Sequence, residues 1–215
     1  MKYKKAVFST AYFPPISYFT YMLAAENPII DGYEHYHKQS YRNRCNLYNS
    51  NGQQSLVIPV SKPLGNHTPT NQIHISFREP WQRTHWRSIE SAYNKSPFFM
   101  YYGEEIKALL YNEEQNLVTY NRIIFNGLCN ILELEIDIES TEKYYEGSSA
   151  DLRNSISPKS LIPEMNSLLN KKPYYQIFED RFGFISDLSI LDLLFHMGPE
   201  SGYYLDLLSK ELTTN

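Results

Sequence analysis

Two consecutive prolines, Pro14 and Pro15, stand between a short β-prone run, Ala6 to Ala11, and an apolar run, Tyr18 to Ala25, with helical character. A proline fixes φ and has no N–H to donate, so a strand ladder cannot pass through the pair. Ser17 is placed to cap a helix over Tyr18 to Ala25, and Asn27-Pro28 closes it. Pro28-Ile29-Ile30-Asp31 then reads as the next strand. Strand, turn, helix and strand in so short a span favour a parallel pair joined by a crossover helix.

The next segments add strands of another kind. Asn46-Leu47-Tyr48 and Leu56 to Val60 flank Asn49-Ser50-Asn51-Gly52, and an Asn-Gly turn between apolar runs is a hairpin signal. Ile73 to Phe77 alternates like a strand, after a Pro/Gly/Asn loop over Lys62 to Asn71. From Trp81 the period becomes helical, with Trp81, His85, Ile89, Ala92 and Tyr93 on one face until Ser96-Pro97. Phe98 to Tyr111 and Leu117 to Leu134 continue in the same period, Ile136 to Ile138 returns toward the sheet, and Tyr174 to Phe178 suits a strand or a helical turn. Ser189 to His196 forms a last apolar helix stopped by Gly198-Pro199. The expected fold is α/β: a mixed β-sheet that begins with a β-turn-α-β unit and is flanked by helices from the central and C-terminal parts.

Composition bounds the rest. With 42% hydrophobic and 20% charged residues among 215, the chain can bury one sizeable core, and one domain over residues 1–215 is expected. A net charge of -4 and a pI of about 5.9 leave no global positive field for nucleic acid or an anionic membrane. The basic start, Met1 to Lys5, precedes too short an apolar run for a secretory signal, and no stretch is long enough to span a bilayer. Two cysteines without a CxxC or His-rich spacing indicate neither a disulfide framework nor a zinc site, so a reducing cytoplasm is the expected location and no cofactor is implied. The 19 Tyr and 11 Phe carry large apolar area, read as core and half-buried surface, with a stacking platform for a sugar or base as the sharper alternative.

Three constellations could carry chemistry. The first is Phe13-Pro14-Pro15-Ile16-Ser17-Tyr18-Phe19, where the first strand hands over to the first helix. Open α/β sheets gather ligands beyond the strands' carboxyl ends, so Tyr18 is a candidate binding residue; a rigid turn packed into the core is the plainer reading. The second runs from His35 to Cys45 and holds Lys38, Tyr41, Arg42, Asn43 and Arg44. Arg offers a planar donor fork for phosphate or carboxylate, Lys a point charge and Asn a directed donor and acceptor. As a strand, Lys38, Ser40, Arg42 and Arg44 would share one face; a solvated basic edge explains them equally well. The third is the helix face of Trp81, His85, Ile89 and Tyr93: His85 is a candidate general base if it faces a cleft, and otherwise a satisfied core histidine. Cys45 beside Arg44 has no evident catalytic partner, and Asp187 reads as a cap for the helix that follows it. No Gly-rich phosphate loop, GxSxG or HExxH is present.

These segments resemble the WbqC-like family of bacterial proteins. The turn is similar to a family pattern F-P-x-I-G/S-Y-F, Lys38 to Arg44 to K-x-x-W/Y-x-N-R, and Trp81 to Tyr93 to W-x-x-x-H-x-x-x-I/L-x-x-x-Y. Leu188 to Phe195 with Gly198 is similar to its closing L-S-I-I/L-D-x-I/L-F/M-x-x-G, so the resemblance covers nearly the whole chain. Asp151-Leu152-Arg153, Pro158-Lys159 and Tyr174 to Phe178 resemble a Bacteroidetes-type branch. Two departures stand out: Thr10-Ala11 replaces an early Gln-Pro, and Gly32-Tyr33 stands where an acidic pair is found. The resemblance implies a transferase moving an acyl or aminoacyl group to an amino sugar or nucleotide sugar in surface-polysaccharide or glycoconjugate biosynthesis. The basic segment beside the strand-end turn points to a small phosphorylated or carboxylated ligand, and the resemblance carries Lys38, Asn43, Arg44, Trp81, His85 and Tyr93 over as site residues. A non-catalytic binding or assembly module with an aromatic-rich interface is the alternative, and a homo-oligomer is compatible with either.

Overall fold

Val7 stands opposite Ile29 in a parallel ladder, and the pairing of these two buried residues sets the register of the central sheet. The computed structural model of the protein describes residues 3–147 and 150–214, so Met1 and Lys2 of the basic N-terminal stretch lie outside the described residues. Strand β1 (Ala6–Phe8) leads through the proline turn into helix α1 (Ile16–Ala24) and back to β2 (Pro28–Ile30). The β-turn-α-β unit read from the sequence is therefore present. Pro28 sits at the first position of its strand, where its missing N–H costs no ladder bond.

Next come the hairpin β3 (Arg44–Asn49) and β4 (Gly52–Val57) and the short pair β5 (Val60–Ser61) and β6 (His74–Ile75). Gly52 closes the Asn51-Gly52 turn with φ +95°, a conformation that a side chain disfavours. Helices α2 (Trp81–Tyr93), α3 (Phe99–Leu110) and α4 (Leu117–Ile131) follow, then β7 (Glu139–Ser140) and β8 (Ala150–Asp151). Helices α5 (Pro163–Lys171), α6 (Glu179–Phe182), α7 (Ile190–Met197) and α8 (Glu200–Thr214) complete the chain. The parallel sheet has the order β7-β2-β1-β8, and both antiparallel pairs form separate two-stranded sheets. The α/β class holds, with parallel and antiparallel pairing divided between sheets instead of joined in one.

Several local expectations are revised by tertiary contacts. Helix α1 begins at Ile16, and Ser17 lies inside its first turn, where its N–H and Oγ donate to Asp187 at 2.7 and 2.8 Å. Asp187 thus serves the N-terminus of α1, while Ser189 Oγ caps α7 by accepting from Leu191 N. The proline turn is bound to the same segment: Ile16 N donates to Leu188 O at 3.1 Å, Ile190 N to Pro14 O at 2.8 Å, and Ser189 Oγ to Phe13 O at 2.9 Å. His35 makes only an isolated bridge to Pro69 and residues 38–43 form turns and bends, with Gln39 at φ +56°, so a strand begins only at Arg44. Tyr174 to Phe178 is irregular because Tyr174 Oη and Gln176 Nε2 turn inward to the buried Asp192 carboxylate, at 2.5 and 2.8 Å.

Gly198 ends α7 with φ +54° and ψ -124°, and a Cβ there would lie 2.4 Å from the Phe98 ring. Backbone strain and overlap act together at this position, so Gly198→Ala is expected to cost about 2 kcal/mol in a urea unfolding curve.

Candidate functional site

Beyond the carboxyl ends of β1, β2 and β8 the chain assembles a buried ion network. Asp31, fully buried just after β2, accepts from Tyr33 N at 2.9 Å, Thr141 Oγ1 at 3.1 Å, Tyr145 N at 3.2 Å and Arg153 Nη1 at 2.7 Å. Arg153 also grips Asp151 through Nε and Nη2, at 3.0 and 2.6 Å, and these bonds hold the Asp151 carboxyl below its usual value. Arg42, 1% exposed, forms a two-pronged pair with Glu34, Nε to Oε1 at 2.8 Å and Nη2 to Oε2 at 2.5 Å. Its Nη2 also donates to the Arg153 carbonyl at 3.1 Å, which joins the two pairs. Burial pushes Glu34 up despite the pull of this guanidinium.

The network separates two concavities. One is a cleft of about 320 Å³ whose lining includes His37, Lys38, Arg42, Arg153, Asn154 and Lys159. The two arginines are matched by the Glu34, Asp31 and Asp151 carboxylates, so among the described residues the lysines supply its unpaired charge. Lys62 stands near enough that, after desolvation, the Lys38 ammonium lowers its pKa. The other is a cavity of about 470 Å³ outside the ends of β1, β2 and β7. Tyr18, whose hydroxyl donates to the Ser9 carbonyl at 2.7 Å, lines it together with Asn121, Phe125 and Arg122 of α4. Arg42 and Asp31 stand between these spaces. The Arg42 carbonyl accepts from Asn121 Nδ2 at 2.8 Å on the cavity side, while its guanidinium lines the cleft. Asp31 reaches Thr141 of the cavity wall and Arg153 of the cleft wall.

Residues 10–160 match the sequence profile of the WbqC-like protein family. The chain belongs to this family. It is 26% identical to the uncharacterised protein Rv1507c of Mycobacterium tuberculosis (strain ATCC 25618 / H37Rv), in a match covering 94% of this chain and 97% of that one. No solved structure matches. The positions where this WbqC-like chain departs from the resembled pattern, Thr10, Ala11, Gly32 and Tyr33, all line the 470 Å³ cavity.

The residues singled out in the sequence are distributed unevenly around these spaces. Lys38 and Arg42 line the cleft and Tyr18 the cavity. Asn43 pins the start of β3 to Ile58, accepting from its N–H through the backbone and donating from Nδ2 to its carbonyl, both at 2.8 Å. Tyr41 is buried and its carbonyl accepts from Tyr12 N at 2.8 Å, and Arg44 occupies the first position of β3. Tyr93 is buried, with its Oη accepting from Tyr48 N at 3.2 Å. His85 lies in an aromatic cluster with Trp81, Tyr12 and Tyr120, its Nδ1 2.8 Å from Tyr12 Oη. Burial pushes the imidazole down to about 4, so it stays neutral at pH 7. Burial also pushes the Cys45 thiol up, away from a reactive thiolate. Asp31, Glu34, Asn71, Asn121 and Arg122 were not singled out from the sequence. Asn121 had a signal: it is polar on the helix face that also presents Leu117, Ile124 and Leu128 to the core.

Proposed function

We propose that the protein is a transferase that moves an acyl or aminoacyl group onto an amino sugar or nucleotide sugar in surface-polysaccharide or glycoconjugate biosynthesis. The carrying observation is the pairing of a polar cavity beyond the parallel strand ends with a lysine-edged cleft across the Asp31–Arg42 network. A sugar suits the first and a phosphate or carboxylate the second. In this reading Lys38 meets the anionic group, Tyr18 forms a wall, and Arg42, Asn43, Arg44 and Tyr41 position the loop that carries Lys38. Trp81, His85 and Tyr93 support the strands from beneath, with His85 acting as a neutral partner for Tyr12. The Asp151-Leu152-Arg153 and Pro158-Lys159 segments, which help build the cleft, support a Bacteroidetes-type branch. Two buried thiols suit a cytoplasmic protein, and the packing of α8 on α1 supports one domain over residues 1–215.

Calorimetric titration of uridine-diphosphate amino sugars and of acyl donors tests the reading. Saturable binding of both, with only the anionic acyl donor weakened about tenfold in Lys38→Ala, is the expected result, the scale of one charge-assisted hydrogen bond. Absence of binding by every compound to the wild-type protein would overturn it. A non-catalytic assembly module is the second reading, favoured by the exposure of Met100, Tyr101 and Tyr203. A strictly monomeric elution that no addition of cell extract shifts counts against that reading.

A further inference from the structure

The 470 Å³ cavity contains a polarity mismatch that the protein itself does not resolve. Asn71 Oδ1 and Asn121 Oδ1 are buried and, among the described residues, accept no hydrogen bond, although both residues line this cavity. Buried acceptors without donors are rare, and two around one space call for a common explanation. Both residues are anchored at this wall. Asn121 is 1% exposed and its Nδ2 is committed to the Arg42 carbonyl. Asn71 is held through its backbone, its N–H donating to Gly32 O at 2.7 Å and its carbonyl accepting from Asn116 Nδ2 at 2.7 Å. The Asn121 carbonyl is therefore a fixed acceptor, and the Asn71 backbone places a second amide carbonyl on the same wall, both without a donor among the described residues.

The remaining lining narrows the class of donor. Ile30, Val118, Phe125 and Ile138 supply apolar wall, which suits the carbon faces of a ring. Arg122 is the only charged lining residue, is exposed, and makes no ion pair among the described residues. A cationic ligand would thus meet a lone positive charge, whereas an anionic group would find a partner there.

We infer that this cavity is a recognition site for a sugar phosphate: ring hydroxyl or amide N–H groups donate to Asn71 Oδ1 and Asn121 Oδ1, and the phosphate is held by Arg122. This deepens the transferase reading and rests on it for the choice of a sugar. Thr10, Ala11, Gly32 and Tyr33, the departures from the resembled pattern, then lie where they shape which sugar fits.

Isothermal titration with N-acetylglucosamine 1-phosphate and with N-acetylglucosamine tests the assignment in the wild type and four variants, each checked for wild-type folding by circular dichroism. Arg122→Ala is expected to weaken the phosphate about tenfold while changing the free sugar by less than about twofold. Asn71→Ala is expected to weaken both sugars, and Lys95→Ala, removing an exposed cation elsewhere, to weaken neither. Asn121 is left intact because its side chain also braces Arg42. Wild-type affinity in both Arg122→Ala and Asn71→Ala, or no binding of either sugar to the wild type, would overturn the inference. Binding lost in Lys38→Ala but kept in Arg122→Ala would place the sugar phosphate in the cleft, ending the cavity assignment while the transferase reading stands.

Discussion

Arg42→Met is expected to destabilise the protein by about 3–5 kcal/mol, the scale of a broken buried ion pair. Among the described residues the guanidinium is the sole counter-charge bonded to Glu34, whose side chain is 5% exposed and whose carboxyl burial already pushes up. Methionine fills a comparable volume, so the loss is electrostatic more than steric. Pairing Arg42→Met with Glu34→Met removes the stranded carboxylate, and the double variant is expected to recover at least half of the single variant's loss. Urea unfolding at pH 7 measures both. A single-variant cost under about 1 kcal/mol would place the pair among weak surface bridges and refute its structural role. The consequence for function is direct: the Arg42 guanidinium lines the lysine-edged cleft and joins its wall to Arg153, so its loss should loosen that candidate site, while the residue 42 carbonyl that fixes Asn121 stays in place.

The second large effect concerns pH. His85 has a folded pKa of about 4 against 6.5 for the free side chain, because burial disfavours the imidazolium. Its neutral form contributes stability that is complete above pH 6.5 and is lost as pH falls toward 4, about 3 kcal/mol in all. Asp187 works in the opposite direction. Burial pushes its carboxyl up to about 6 from 3.8, against the pull of Ser17, so acidification through this window favours the folded state by a similar amount. The two contributions oppose each other between pH 4 and pH 6, and the wild-type curve conceals both. In His85→Gln, stability relative to wild type should rise by about 3 kcal/mol as pH goes from 7 to 4, whereas in Asp187→Asn it should fall over the same interval. Parallel pH profiles for His85→Gln and wild type would show that the imidazole titrates normally and reaches solvent, as a general base would require.

The elements that were legible in the sequence are those set by neighbours along the chain. Pro14-Pro15 ends a strand because a proline lacks an N–H whatever surrounds it. Asn51-Gly52 turns a hairpin because glycine tolerates φ +95°, and Trp81 to Tyr93 is helical because its apolar residues recur at the helical period. Motif resemblance also reached the family without help from the fold. The His35 to Cys45 segment marks the limit. Its composition announced a basic site, yet composition could not tell that Arg42 is spent on Glu34 while Lys38 remains open to the cleft.

By itself, then, the sequence determined the opening β-turn-α-β unit, the helical periods and the membership of the WbqC-like family. Only the tertiary structure decided what each polar group meets. Ser17 and Asp187 are 170 positions apart and Arg153 and Asp31 are 122 apart, so nothing local links them. Hydrogen bonds and ion pairs reach only a few ångströms, and Asn71 and Asn121 line one space only because the turn at residues 70–72 packs against α4.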